Sequence, residues 1–406
     1  MKFYSGVSTN LETDRAVRTL HEEASSVIGE SPDLLLLFFS PHHRKNISEA
    51  ASILMKELAP KILLGCSGEG IIAMAVELEQ QPAISLWAAK LPGVNLFPFQ
   101  LSFEEEPKGI RLLGWPSPFP SSDEHPFFIT LVEPFSTPAH EFIDFLERKY
   151  PGAPVLGGMA SGGRIPGENL LLFNGEPVQE GVVGLCAHGA IRLETVISQG
   201  CRPVGELFRV THAERNVVHE LSGKPALQRL TEIFERLTEE EKWLAQQGLQ
   251  IGCASDEQKD QFGRGDFLIR SLVGIDEEHG SLSVGDLVKE GQTVQFHVRD
   301  AQSAREDLRL LLEARKFRLL GSPPQAALLF SCNGRGTRFF GQPHQDVEAI
   351  QEKLGKIPLA GFFAQGEIGP VGRRNFLHGF SASVALFCRE ARRVTPSEGG
   401  RPRPVS

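Results

Sequence analysis

Three stretches of the chain repeat one ordering of apolar and polar positions. The first runs from the unbroken apolar Leu34–Phe39 through an amphipathic segment at 47–58 to a second apolar run that closes on Gly65, Gly68 and Gly70. The second pairs Phe127–Val132 and 138–150 with a run closing on Gly157, Gly158, Gly162 and Gly163, and the third pairs 326–330 and Gln345–Leu354 with a run closing on Gly361 and Gly366. A short apolar run bounded by loops reads as a strand, and the helical spacing of Ala50, Ile53 and Leu54, of Phe142, Phe145 and Leu146, and of Val347, Ile350 and Leu354 reads as a one-faced helix. Strand, crossover helix and returning strand of this length make a right-handed β-α-β unit with parallel strands. The separations Leu35 to Gly65, Phe128 to Gly157 and Ala327 to Gly361 are 30, 29 and 34 residues, so the three are read as copies. Each helix has a start signal: a capping box of Asn46 with Glu49, Thr137 before Pro138, and the polar His344-Gln345-Asp346.

After each glycine-rich turn the period switches to two, at 83–89, 170–173 and 380–387, with further strand-like runs between 182 and 197, so the sheets are mixed. The proline-rich segment 102–126 reads as a loop or linker. Between the second and third copies come a helix at 225–237, an acidic turn at 239–242, a polar loop at 255–266, a meander of 267–275, 282–288 and 293–298, and a helix at 305–315. The expected fold class is α/β, in the mixed α+β sense: internally repeated β-α-β units with mixed sheets and Gly-rich turns, in two related lobes. A boundary in 203–211 divides them into modules 1–205 and 206–388, and 389–406, rich in arginine and proline, is expected to be a disordered tail.

Composition narrows the function. The chain's 406 residues suffice for two or three domains, and 42 Lys+Arg against 51 Asp+Glu give a net charge of −9, which argues against nucleic acid and anionic membrane surfaces as partners. No apolar stretch reaches the roughly 18 residues of a spanning helix, so no membrane insertion is expected. The opening residues lack a charged segment followed by an apolar run, so a cytoplasmic location is expected. The six cysteines include no Cys-x-x-Cys and the twelve histidines no His-Glu-x-x-His, so neither a metal nor a cofactor is assigned.

Standard catalytic and nucleotide motifs are also absent. Gly68-Glu69-Gly70-Ile71-Ile72-Ala73 matches G-x-G-x-x-A in form, but no helix start follows it, and a turn between strands is the better reading. No serine is flanked by glycines two positions away on both sides, which leaves serine hydrolysis unsupported. Candidate chemistry gathers instead around Cys332-Asn333-Gly334-Arg335-Gly336. An arginine beside a thiol lowers its pKa, although a small buried cysteine before an Asn-Gly turn is favoured for Cys332; Arg335 is an anion-binding candidate or a partner of a surface carboxylate. Glu367 and Glu69 follow glycines in two of the turns, where a carboxylate either holds an ammonium or a sugar hydroxyl or bonds its own turn. On 293–298 and the residue after it, Gln295, His297 and Arg299 share one face, which lines a cleft or, more commonly, is exposed.

With these motifs in view, "LFSCNGRG" and "PLAGFFAQGEIGPVGRRNFLHGFSASVALF", with "VISQGCRPVGELFRVTHAERNVVHELSGKPAL", resemble the C-terminal part of FIST proteins (F-box and intracellular signal transduction). "LLGCSGEGII" and "VLGGMASGG" are similar to the FIST N-terminal module, so the resemblance covers roughly residues 1–388. It implies an intracellular sensory module for small ligands such as amino acids or related metabolites. An F-box and an appended output domain are expected to be missing, so signalling would run through a separate protein partner. The family implies no catalytic residues. The residues placed at a ligand site are Cys332, Arg335, Gly336, Phe362, Phe363, Gly366, Glu367, Asn375, Ser67 and Glu69, with Arg335 meeting a carboxylate, Glu367 an amine and Phe362 or Phe363 walling the pocket. The alternative is an interaction adaptor without a small ligand, and an enzyme with Cys332 as nucleophile is the weakest reading.

Overall fold

The computed structural model describes residues 1–390 apart from Lys108, Asp260, Arg264 and Leu320. All three expected β-α-β units form. Leu34–Phe39, Ile47–Glu57 and Ile62–Ser67 make the first, Phe127–Val132, Ala139–Lys149 and Val155–Met159 the second, and Ala326–Cys332, Gln345–Leu354 and Leu359–Ala364 the third, each with its two strands parallel. In every copy a later strand returns antiparallel to the first: Ile84–Lys90, Val182–Gly189 and Ser381–Arg389.

The hairpin that follows each unit pairs with another copy. Gly70–Ala73 and Val76–Glu79, from the first copy, extend the third sheet; Leu171–Phe173 and Glu176–Val178, from the second, extend the first; Glu367–Val371 and Arg374–His378, from the third, extend the second. This cyclic exchange links the three sheets. Their inner faces enclose a common core with Phe38, Leu64, Ile129, Leu156, Phe330 and Phe362, while each outer face packs its own helices. Both faces of the parallel strands are therefore buried, which is why they read as continuous apolar runs instead of alternating ones. In Leu34–Phe39, Leu34, Leu36 and Phe38 face the common core and Leu35, Leu37 and Phe39 the helices.

The repeated glycines lie inside the second strand of each unit, not in the turn after it. A β-carbon on Gly65, Gly157 or Gly361 would stand 2.3, 1.9 and 1.7 Å from the carbonyl oxygens of Leu37, Thr130 and Leu329, their register partners on the first strand. The near-constant spacing thus records one close backbone approach built three times.

Into the third copy, between Ile191–Gln199 and the helix Ala301–Arg318, a second lobe is inserted. Cys201–Glu214 pairs with Thr293–Arg299, that with Leu249–Ala254, then Phe267–Asp276, Ser281–Val284 and Val217–Leu221, which returns to Cys201–Glu214, so six antiparallel strands close a circuit. Its core joins Phe208, Val218, Ile251 and Phe296 to Leu230 and Ile233 of the helix Ala226–Arg236. The fold is thus the expected mixed α+β architecture with repeated units and two lobes, with corrections in detail. Of the three strands read as a meander, Phe267–Asp276 and Ser281–Val284 are neighbours, whereas Thr293–Arg299 pairs with Leu249–Ala254 and with Cys201–Glu214, which is long enough, with a bulge between Val204 and Leu207, to pair with two partners. The acidic turn is the first turn of a helix, Glu239–Gly248, capped by Thr238 and Glu241; three glutamates there complement the helix N-terminus. Segment 102–126 begins as a hairpin of Val94–Glu106 with Gly109–Leu113, since the alternation of Phe99, Leu101 and Phe103 carries the strand into it. Asn46 makes no side-chain cap. The strand Ser381–Arg389 includes the first residue of the expected tail, whose positions from 391 onward lie outside the described residues. Among the described residues, no helix is long and apolar enough to cross a membrane.

Candidate functional site

The glycine-rich turns of all three copies meet, but as packed backbone. Ser161 donates its backbone N–H to the Ser67 carbonyl (3.1 Å); its Oγ accepts from the Glu69 N–H (2.8 Å) and donates to the Phe363 carbonyl. A β-carbon on Gly68 would lie 2.7 Å from Cβ of Phe362. Ser67 is buried, its Oγ accepting from Leu170 N–H, and Glu69 projects from the surface. Phe362 packs on Phe38 and Phe330 in the common core, and Phe363 faces the helices of the third copy, so neither lines a cavity. Gly366 bonds its carbonyl to Met159 N–H (2.8 Å) within the same junction.

The residues after Cys332 form a different environment. Asn333-Gly334-Arg335-Gly336 turns from the carboxyl end of a parallel strand into the short helix Thr337–Phe340, at the edge where open α/β sheets place ligands. Arg335 is 1% exposed and makes a two-pronged ion pair with Asp346, Nε to Oδ2 at 2.8 Å and Nη2 to Oδ1 at 2.7 Å. Asp346 also accepts from Ser331 Oγ (2.8 Å). The N-terminus of the helix Gln345–Leu354 is capped from the first copy: Glu77 Oε1 accepts the N–H groups of Asp346 and Val347 at 3.1 and 3.0 Å, and burial, with Asp346 nearby, pushes Glu77 above the usual carboxylate range. Glu79 of the same hairpin accepts from Thr337 N–H and Oγ1, with its carboxylate where a β-carbon on Gly336 would sit. Gly336, at φ 79°, is required both by that contact and by its backbone.

Around this turn lies a cleft of about 560 Å³ between the lobes, lined by Arg299, Asn333, Arg335, Arg338 and Phe339 and, from the helix Glu239–Gly248, by Trp243. Arg299 ends the barrel strand Thr293–Arg299. Its guanidinium is held between the rings of Phe380 (4.3 Å) and Phe339 (4.9 Å), Nη2 donates to the Gly334 carbonyl, and it has no carboxylate partner among the described residues. Three buried polar atoms on this wall lack a protein partner: Arg299 Nε, Arg335 Nη1 and Asn333 Oδ1. Such atoms cost about 1–3 kcal/mol each if left unsatisfied, more for charged groups.

Cys332 and Glu367 adjoin the same cluster from the inner side. Glu367 Oε2 accepts from Ser381 N–H (3.1 Å) and Oγ (2.8 Å), and burial pushes its carboxyl up to about 8. Burial, then the neighbouring Glu367, raise the Cys332 thiol, the opposite of the shift a reactive thiolate needs. Asn375 stands apart as a strut: Oδ1 accepts from Val155 N–H (2.8 Å), and Nδ2 donates to the Ala153 carbonyl and to Glu147. The structure therefore gathers Cys332, Arg335, Gly336 and Glu367, and places Ser67, Glu69, Phe362, Phe363, Gly366 and Asn375 in the junction, the cores or the second sheet. Arg299, Asn333 and Trp243 line the cleft but are not among the expected ligand residues. The face of Gln295, His297 and Arg299 was the available signal: it is turned toward the first lobe, with His297 4% exposed, bonded through Nδ1 to the Gln295 carbonyl and lowered by burial to about 4. Among the described residues, no three His, Cys, Asp or Glu side chains are placed to hold a metal.

Comparison with known proteins agrees with this architecture. Residues 33–224 match the FIST N domain and 226–370 the FIST C domain, which are commonly described as small-ligand sensory domains in signal transduction. The chain is 41% identical over 388 residues to the uncharacterized protein Rv0628c of Mycobacterium tuberculosis, covering 95% of this chain and 100% of that one. The same identity and length relate it to the uncharacterized protein Mb0898c of Mycobacterium bovis, with 99% of that protein covered. A shorter match, 34% over 102 residues, links 24% of the chain to 19% of the uncharacterized protein MJ1623 of Methanocaldococcus jannaschii. On the two domain matches and the near full-length relatives, the chain belongs to the FIST family.

Proposed function

We propose that this protein is an intracellular, cytoplasmic sensory protein that binds a small anionic metabolite, of the amino-acid or related class, in the cleft between its lobes and acts through a separate protein partner. The carrying observation is the unpaired Nη1 of the buried Arg335, on the wall of a cleft of about 560 Å³. That volume lies in the range of small-molecule sites, and Trp243 and Phe339 add apolar surface beside the charged groups. In this reading Arg335 meets the anion, with Asp346 holding its fork in place, and Glu367, buried behind the turn with Oε2 bonded to Ser381, is not given the amine.

Thermal unfolding against a panel of amino acids, organic acids and other metabolites tests this reading. A ligand at 100 times its dissociation constant adds about 2.7 kcal/mol to stability, so the binding class is expected to raise the melting temperature reproducibly. No shift with any class, and no small molecule released on denaturation, would favour the adaptor reading. One surface supports a protein partner in either case: the helix Ala301–Arg318 exposes Leu310 and Phe317, at 62% and 75%.

A further inference from the structure

The barrel is tied to the three-sheet lobe by two chain crossings that lie side by side. The chain leaves through Gly200 and returns through Asp300, whose N–H bonds the Gly200 carbonyl at 3.3 Å. Both arginines that carry an unpartnered nitrogen, Arg299 Nε and Arg335 Nη1, sit at this neck. Arg299 immediately precedes the returning crossing and belongs to the barrel; Arg335 belongs to the other lobe, and its Nη1 lies 3.1 Å from where a β-carbon on Gly200 would be. The two guanidinium groups repel: burial lowers the pKa of Arg299, and the charges of Arg335 and Arg338 act in the same direction. The Asp300 carboxylate does not relieve this, since it is taken by Arg202, Ser303 and the Gln302 N–H.

Resting on the ligand-cleft reading above, we propose that the ligand is an oxoanion that bridges Arg299 and Arg335 across the neck, so that occupancy of the cleft fixes the barrel against the three-sheet lobe. Arg335 is already paired with Asp346, whereas Arg299 has no carboxylate partner among the described residues, so the ligand's charge answers Arg299. Asn333 Oδ1 takes an N–H or O–H donor of the same ligand. In this arrangement the signal is carried by the barrel: the anion gives Arg299 a partner shared with Arg335 of the other lobe, and without it that tie across the neck is missing.

Phenylacetate is the probe, its ring suited to Trp243 and Phe339, with phenylacetamide as the neutral isostere and phenyl phosphate as the second oxoanion. Binding is read by tryptophan fluorescence and calorimetry, and the neck by amide hydrogen exchange of 199–202 and 298–301. Phenylacetate is expected to bind at least tenfold more tightly than phenylacetamide and to slow exchange at both crossings, and Arg299→Gln is expected to lose both effects while keeping its unfolding cooperative. The tighter of the two oxoanions assigns carboxylate or phosphate chemistry to the bridge. Equal binding of acid and amide, or acid binding with neck exchange unchanged, would overturn the bridge and leave the cleft reading standing. No fluorescence or calorimetric response to any of the three probes would remove both.

Discussion

The junction of the three glycine-rich turns and the cleft at the neck are built from the same kind of unit, a strand end of a β-α-β copy, yet they serve opposite purposes. At the junction every copy contributes, the glycines permit backbone to touch backbone, and the polar groups of Ser67 and Ser161 find partners within the protein. At the neck the cleft is lined by the third copy and the barrel inserted beside it, and three buried polar atoms are left without partners among the described residues. What the copies share is what holds the sheets together. What the third copy alone has, Asn333-Gly334-Arg335-Gly336 where the first has Ser40-Pro41-His42-His43 and the second Glu133-Pro134-Phe135-Ser136, is where ligand chemistry gathers.

The largest expected effect breaks the cleft from behind. Asp346→Ala leaves Arg335 charged and unpaired in the interior, and loss of one member of a buried pair costs about 3–5 kcal/mol, measurable by denaturant unfolding. Phe362→Ala in the common core is expected to cost a similar about 3–5 kcal/mol, confirming that this ring is packing and not a pocket wall. If the variant instead kept its stability and lost only ligand, the division between junction and cleft would be wrong at that residue.

Next comes the repeated glycine. Gly157→Ala forces a methyl group against the Thr130 carbonyl, and overpacking of this kind costs about 1–3 kcal/mol, with ligand affinity expected to be unchanged. The pH dependence is spread over several pH units and reaches both regions. Glu367 has a folded pKa of about 8, against roughly 4.3 when unfolded, so between those values the native state holds a proton that the unfolded chain has released. Stability from this group is therefore full at low pH, falls as pH rises through that window, and is level above about 8. Glu367→Gln is expected to flatten the decline between pH 5 and 8, by at most about 1.4 kcal/mol per pH unit, as read from unfolding curves across that range. The smallest stability change is expected for Arg338→Gln at the exposed rim, within about 0.5 kcal/mol, with a modest loss of ligand affinity.

The strand and helix grammar was legible because strands buried on both faces leave continuous apolar runs, and the three helices kept their one-faced spacing. The hairpin exchange was not, since Ile71 and Ile72 read the same whether they pair within their own copy or beside Leu359–Ala364. Arg335 was legible from its flanking glycines and its position after a strand. Its partner Asp346 was visible only as part of a helix start, and the Glu77 that caps that helix lies 269 residues away in the chain. For Arg299 the sequence leaves both a cleft wall and an exposed face open, because a single strand's alternation does not say which lobe covers its polar side.

The most direct test of the ligand-cleft account is a crystal structure of the protein grown with whichever compound gives the largest thermal stabilisation. The account expects that compound between Arg299, Asn333 and Arg335, with an anionic oxygen within hydrogen-bond distance of Arg335 Nη1. Density for it elsewhere, such as the hollow of about 530 Å³ beside Pro41 and Arg44, with the neck unchanged, would contradict the account.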